Sequence, residues 1–213
     1  MAMTFEKNVF VNCPFDEKYL SLLRPLLFTI IYLGMNPRIA LERADSGESR
    51  LAKIAELIRN SKYSIHDLSR SEAAAVGELY RLNMPFELGL DFGGRFFGAG
   101  EMSKKKTLVL EAKLHRYKAA ISDLSGSDIE CHYDTPYKVI GVVRNWLKSV
   151  CLAKAAGTAK IEAAFTQFMT EDYNALTAEG FSPVDIASLP IGELMERMSA
   201  WVAASSDASL EAD

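Results

Sequence analysis

The chain has 213 residues, 49% hydrophobic and 24% charged, with a formal net charge of −4. That composition excludes collagen-like and intrinsically disordered classes, and the length suits one generous domain or a core domain with an appendage. The longest uncharged run, residues 25–37, is 13 residues long, short of the ~20 that a membrane helix requires; with no basic-then-apolar leader at the start, a soluble, cytoplasmic protein is expected.

Charge and cysteine usage sharpen this. Residues 1–150 carry 21 Lys and Arg against 18 Asp and Glu, whereas 151–213 carry 3 against 10 and include 14 alanines. Composition therefore changes near residue 150. The expected division is an α/β domain over 1–150, a helical hairpin over 151–203 and a disordered tail over 204–213. Neither part has the strongly basic balance of a nucleic-acid binder. Three cysteines at 13, 131 and 151 do not make a disulfide framework in a chain this long.

In chain order, Asn8 to Asn12 is a short apolar run that ends at Cys13-Pro14, the pattern of a buried strand meeting a turn. Residues 17–33 are apolar nearly all round, predicting a helix buried on several sides. Pro25 is expected to kink or divide it, and Gly34 to stop it. Pro37 to Leu41 reads as a second strand. After a polar loop, Leu51, Ile54, Ala55, Leu57 and Ile58 put one apolar stripe on a helix. Tyr63 to Ile65 gives a third strand, running into His66-Asp67-Leu68-Ser69-Arg70.

Asn83 is placed to cap the next helix, with Pro85 in its first turn. Thr107 to Leu110 is a fourth strand, launched by three lysines at 104–106 that read as a solvated loop. A helix around 115–124 and a fifth strand near 128–132 follow. Thr135-Pro136 opens a further helix, and Gly180 and Pro183 divide the helical remainder. Alternating strands and helices predict a flavodoxin-like parallel sheet of about five strands with helices on both faces, followed by a C-terminal helical segment.

In such a sheet ligands bind outside the carboxyl ends of the strands, where strand order reverses. The polar residues expected at that edge are Asn12, Pro14, Phe15 and Asp16 after the first strand, Asp45 with Ser46 and Gly47 after the second, and Asp67, Ser69 and Arg70 after the third. Asp16 and Asp45 also suit caps and turns. Glu87 stands out because it sits between Phe86 and Leu88 in an apolar helix start, and a carboxylate embedded there needs a partner or a task. The helix dipole is expected to keep it ionised. Cys13 is a rival nucleophile at a strand end. His66 reads as a structural histidine, and the three histidines lack metal-ligand spacing, so no metal is expected.

The order Val9-Phe10-Val11-Asn12-Cys13-Pro14-Phe15-Asp16, Asp45-Ser46-Gly47, residues 61–69 and Phe86-Glu87-Leu88-Gly89 resembles a bacterial TIR-like domain. It is also similar to the nucleoside 2-deoxyribosyltransferases. The resemblance covers roughly residues 5–150. It implies a glutamate, by position Glu87, that acts at the ribosyl C1′ carbon while an N-glycosidic bond is cleaved. The loop from Asn12 to Asp16 would border base and phosphates, and Asp67 falls where the deoxyribosyltransferases have a ligand-binding aspartate. Phe15 or Phe86 would stack on the base. The chain carries Leu82-Asn83-Met84-Pro85 where the TIR pattern has a serine-rich segment, a departure that bears on NAD as substrate. The expected activity is a ribosyl N-glycosidase acting on NAD or a related nucleotide, with no cofactor, in a homo-oligomer of a defence or signalling setting. The alternative is a nucleotide-sensing or self-assembling scaffold without catalysis.

Overall fold

The computed structural model describes residues 5–43, 45–70, 82–119, 121–151 and 156–210, with side chains to 205. Five strands form one all-parallel sheet: β1 (Asn8–Asn12), β2 (Asn36–Ile39), β3 (Tyr63–Asp67), β4 (Lys106–Glu111) and β5 (Ile129–Cys131), in the order β2-β1-β3-β4-β5. Strand order reverses between β1 and β3, so the flavodoxin-like crevice opens at the carboxyl ends of these two strands.

The period of two along each strand decides what each face meets. Val9 and Val11, Tyr63 and Ile65, and Leu108 and Leu110 face one way, into a core completed by α1 (Leu20–Tyr32) and α4 (Pro136–Val150). The opposite face carries Phe10, which packs with Ile54, Leu57 and Ile58 of α2 (Arg50–Arg59), and Val109, which packs with Met84 and Leu88 of α3 (Asn83–Phe97). On that same face β3 presents Ser64 and His66, so a polar pair lies beneath α3.

α1 is a single helix that runs through Pro25; the proline neither divides it nor ends it. Its start is the separate 3₁₀ turn Glu17–Tyr19, and Gly34, at φ +81°, takes the left-handed position that closes it. α1 is apolar all round because it is covered on its outer side too. The C-terminal helices α5 (Thr158–Ala178), α6 (Pro183–Ala187) and α7 (Ile191–Leu210) follow the sheet domain, and Ile161, Phe168, Leu176, Leu194 and Met198 belong to the same core as Val9 and Ile65. The Phe28 ring lies 5.4 Å from Phe165, 5.6 Å from Phe168 and 5.9 Å from Trp201. The change of composition at residue 150 is thus not a break in the core, and α7 continues to Leu210 through residues that composition assigns to a disordered tail.

Three other expectations change. Asn83 is the first helical residue of α3, with Leu82 in the cap position and no side-chain cap. The region 115–124 holds two short 3₁₀ turns, Arg116–Ala119 and Ser122–Leu124, instead of a helix. Of the three lysines, Lys105 is 1% exposed rather than solvated. Among the described residues, no helix is long and apolar enough to cross a membrane.

Candidate active site

At the end of β1, Asn12 is buried and its Nδ2 donates to the Met84 carbonyl, 3.0 Å away in the first turn of α3. The same amide lies 3.0 Å from His66 Nδ1 at the end of β3. His66 Nε2 faces Asp91 Oδ2 at 3.1 Å. With Asn12 donating to Nδ1, the imidazole proton sits on Nε2 and is directed at Asp91. One turn of α3 separates Asp91 from Glu87, so Glu87 is fixed between two anchors, Met84 and Asp91.

Asp91 is the hub of the network beneath α3. The Ser64 hydroxyl donates to its Oδ2, Thr107 Oγ1 lies 3.4 Å from that atom, and Lys105 Nζ lies 3.1 Å from its Oδ1. Lys105 also donates to the carbonyls of Ile58 and Ser61. Burial pushes Asp91 up, but His66, Lys105 and Ser64 outweigh it and hold its carboxyl at about 2. Burial pushes Lys105 down, against the pull of Asp91.

Glu87 has the opposite surroundings. It is 4% exposed, its only close ion partner among the described residues is Arg50 Nη2 at 3.9 Å, and burial pushes it up to about 7. The helix dipole therefore does not keep it fully ionised, because near the first turn of α3 desolvation is the larger effect. A carboxyl at about 7 exchanges its proton at neutral pH, the condition suited to acid, base or nucleophilic work. Arg50 opens α2, and its guanidinium sits 5.8 Å from the centre of the half-buried Phe15 ring.

Asp67 lies on the other side of the crevice floor. Its Oδ1 accepts from the Ser69 amide at 2.8 Å and its Oδ2 accepts from the Tyr19 hydroxyl at 2.5 Å. His132 Nε2, reaching across the end of β4, approaches Oδ2 at 3.1 Å. His132 Nδ1 accepts from the Asp134 amide at 3.0 Å, which leaves the ring proton on Nε2, facing Asp67. The turn that makes this possible puts Tyr133 and Asp134 at φ +53° and +51°, consecutive left-handed residues without glycine's freedom and hence strained. Burial pushes Asp67 up, but His132, Ser69 and Tyr19 together hold it below its ordinary value. Both oxygens of Asp67 are thus engaged by the protein itself, and the side chain is wholly enclosed.

Cys13 sits among these groups. Burial, then the charges of Asp67, Glu87 and Asp16, push its thiol well above its ordinary value. It is a buried thiol and not a thiolate nucleophile.

The remaining sequence candidates divide. Asp16 caps the 3₁₀ turn by accepting from the Tyr19 amide, and exposed Asp45 accepts from the Gly47 amide; both do the work of turns. Pro14 is buried and Arg70 half-buried; burial and Asp67 push the Tyr19 hydroxyl well above its ordinary value, with the charge of Arg70 opposing them. Phe86 is 56% exposed, and Phe15 is the ring that meets the same arginine as Glu87. The Ser69 carbonyl accepts from Arg116, which also pairs with the buried Glu111 at the end of β4. Among the described residues, Asn12 Oδ1 and Ser69 Oγ at this edge have no hydrogen-bond partner, nor has His132 Nε2, although it faces Asp67. Enclosed polar groups of this kind are the ones that a polar ligand satisfies.

Sequence reasoning missed Arg50, Tyr19, His132, Asp91 and Lys105. Asp91 alone carried a signal, a second carboxylate four residues after Glu87 in an apolar helix. Among the described residues no group of three or more His, Cys, Asp or Glu is placed to hold a metal ion. No family model, curated protein or solved structure matches the chain.

Proposed function

We propose that the chain is a ribosyl N-glycosidase that cleaves the base–sugar bond of NAD or a related nucleotide, with Glu87 as the catalytic carboxylate. The observation that carries this reading is Glu87 itself: an enclosed carboxyl at about 7, near the edge where strand order reverses, beside Arg50, whose guanidinium lies near the Phe15 ring. The resemblance to TIR-like domains and deoxyribosyltransferases points to the same residue.

The chemistry follows from charge. As the bond from C1′ to the base nitrogen breaks, the electron pair leaves with the base and positive charge grows on the sugar. Ionised Glu87 stabilises that charge or attacks C1′ to form a glycosyl ester, which water then hydrolyses. A pyridinium base leaves as a neutral molecule and needs no proton. That suits a site where Asp67 is held ionised by Tyr19, Ser69 and His132, leaving Glu87 as the proton-exchanging carboxyl. A cationic base also draws Glu87 toward its ionised form on binding. Phe15 would stack on the base, with Asn12 Oδ1 and Ser69 Oγ as partners for ligand hydroxyls.

Purified protein incubated with NAD and with nucleosides should release free base, and Glu87→Gln should lower that rate by about a thousandfold or more. If wild type releases no base, the enzyme reading fails. The near-complete enclosure of Glu87 favours a second reading, a nucleotide sensor; binding of nucleotide by wild type without any turnover would select it.

A further inference from the structure

We infer that Arg50 is the residue that selects phosphorylated substrates: its guanidinium, beside Glu87, takes the 5′-phosphate of the nucleotide whose C1′ bond Glu87 breaks. This rests on the glycosidase reading of the site and adds the substrate class.

Three observations carry it. The Arg50 side chain makes no hydrogen bond among the described residues; it pairs distantly with Glu87 at 3.9 Å and lies 5.8 Å from the centre of the Phe15 ring. Its five N–H donors are therefore open to a ligand, and the side chain is 53% exposed. By contrast the other cations of this corner, Arg38, Arg43 and Lys53, are held by Glu42, Glu48 and Glu56.

Next, Arg50 stands in the first turn of the ten-residue helix α2, which has no acidic residue there. A cation at a helix N-terminus is disfavoured by the dipole, so the position is a poor one for a merely structural arginine, and an anion brought to it is welcomed by side chain and helix together. Finally, the two groups lie side by side, with Arg50 Nη2 3.9 Å from Glu87 Oε1. In a ribose 5′-phosphate the phosphate is separated from C1′ by the ring and one exocyclic carbon, and a carboxylate on C1′ with a guanidinium beside it can address both ends. A planar fork on phosphate gives the paired, charge-assisted hydrogen bonds that lysine cannot reproduce.

The test compares a nicotinamide ribonucleotide with its dephosphorylated riboside. Base release is followed in wild type, Arg50→Ala and Arg50→Lys, and affinities are measured by calorimetry in Glu87→Gln and in Glu87→Gln/Arg50→Ala. Wild type should prefer the nucleotide, and Arg50→Ala should reduce that preference by about 10- to 100-fold, mainly through KM, with Arg50→Lys between the two. A nucleotide-to-riboside ratio that is the same in wild type and Arg50→Ala overturns the assignment while leaving the glycosidase reading in place. No base release, together with nucleotide binding that weakens in the Arg50→Ala background, overturns the glycosidase and keeps Arg50 as the phosphate ligand. Failure of the full chain to bind either compound overturns both.

Discussion

Glu87 and Asp91 stand four residues apart on α3, both nearly excluded from solvent, and their carboxyls are driven in opposite directions, one up to about 7 and the other down to about 2. One helical turn separates a group that exchanges protons at neutral pH from one that stays charged. The difference lies in partners: Asp91 has Ser64, His66 and Lys105, whereas Glu87 has, among the described residues, a single guanidinium at 3.9 Å. Divergent pKa values in neighbouring carboxyls are a mark of separated roles, here an anchor and a reactive group.

Glu87 should weaken folding as pH rises. The unfolded residue releases its proton near 4.5 and the folded one near 7, so between those values the native state holds more protons. Stability contributed by the protonated form is present below 4.5 and is lost as pH climbs through 7, by up to about 3 kcal/mol. Urea midpoints at pH 4.5 and pH 8 should therefore diverge in wild type and much less in Glu87→Gln. Equal pH dependence in the two proteins would show that Glu87 ionises as if exposed.

Asp91 should behave in the reverse sense. Its depressed pKa stabilises the fold above the ordinary carboxylate value of 3.8, and that contribution is lost as pH falls toward 2. Asp91→Asn leaves Lys105 buried beside a neutral amide, a loss of about 3–5 kcal/mol. Asp91→Asn combined with Lys105→Met should recover part of it, because neither charge then remains. Chemical denaturation of the two singles and the double measures the coupling.

Tyr19→Phe removes one of the groups that hold Asp67 ionised. A hydrogen bond to a charged acceptor of this kind contributes about 1.5–3 kcal/mol, and the melting temperature should fall accordingly. A neutral effect would mean that His132 and the Ser69 amide suffice.

Phe168→Ala, more than a hundred residues from the sheet's first strand, should destabilise the whole chain by about 3–5 kcal/mol in a single transition, because Phe168 packs on Phe28 of α1. Two separate calorimetric transitions would instead make the C-terminal helices an independent unit.

The strands were legible because buried parallel strands are short apolar runs between turn residues, as Val9 to Val11 and Leu108 to Leu110 are. Glu87 was legible because a carboxylate inside an apolar helix start is out of place. What could not be read was non-local. Nothing near Lys104–Lys106 says that Lys105 turns inward to an aspartate on α3, and nothing near His132 says that it crosses β4 to reach Asp67. Arg50 carries no signal of its own in the sequence, since its meaning comes from Glu87, a residue brought near only by the fold. Among the described residues of α5 to α7 no charged side chain is buried, while Ile161, Phe168 and Met198 on the inner face tie these helices to the sheet.

The covering of α1 by α5 and α7 has a consequence for synthesis. α1 leaves the ribosome more than a hundred residues ahead of the helices that shield Phe28. At about 5–20 residues per second, the nascent chain carries a greasy, half-clothed helix for on the order of ten seconds or more. A product stalled or terminated before α5 would retain that surface permanently, making this protein a client for holding chaperones until α5 and α7 arrive.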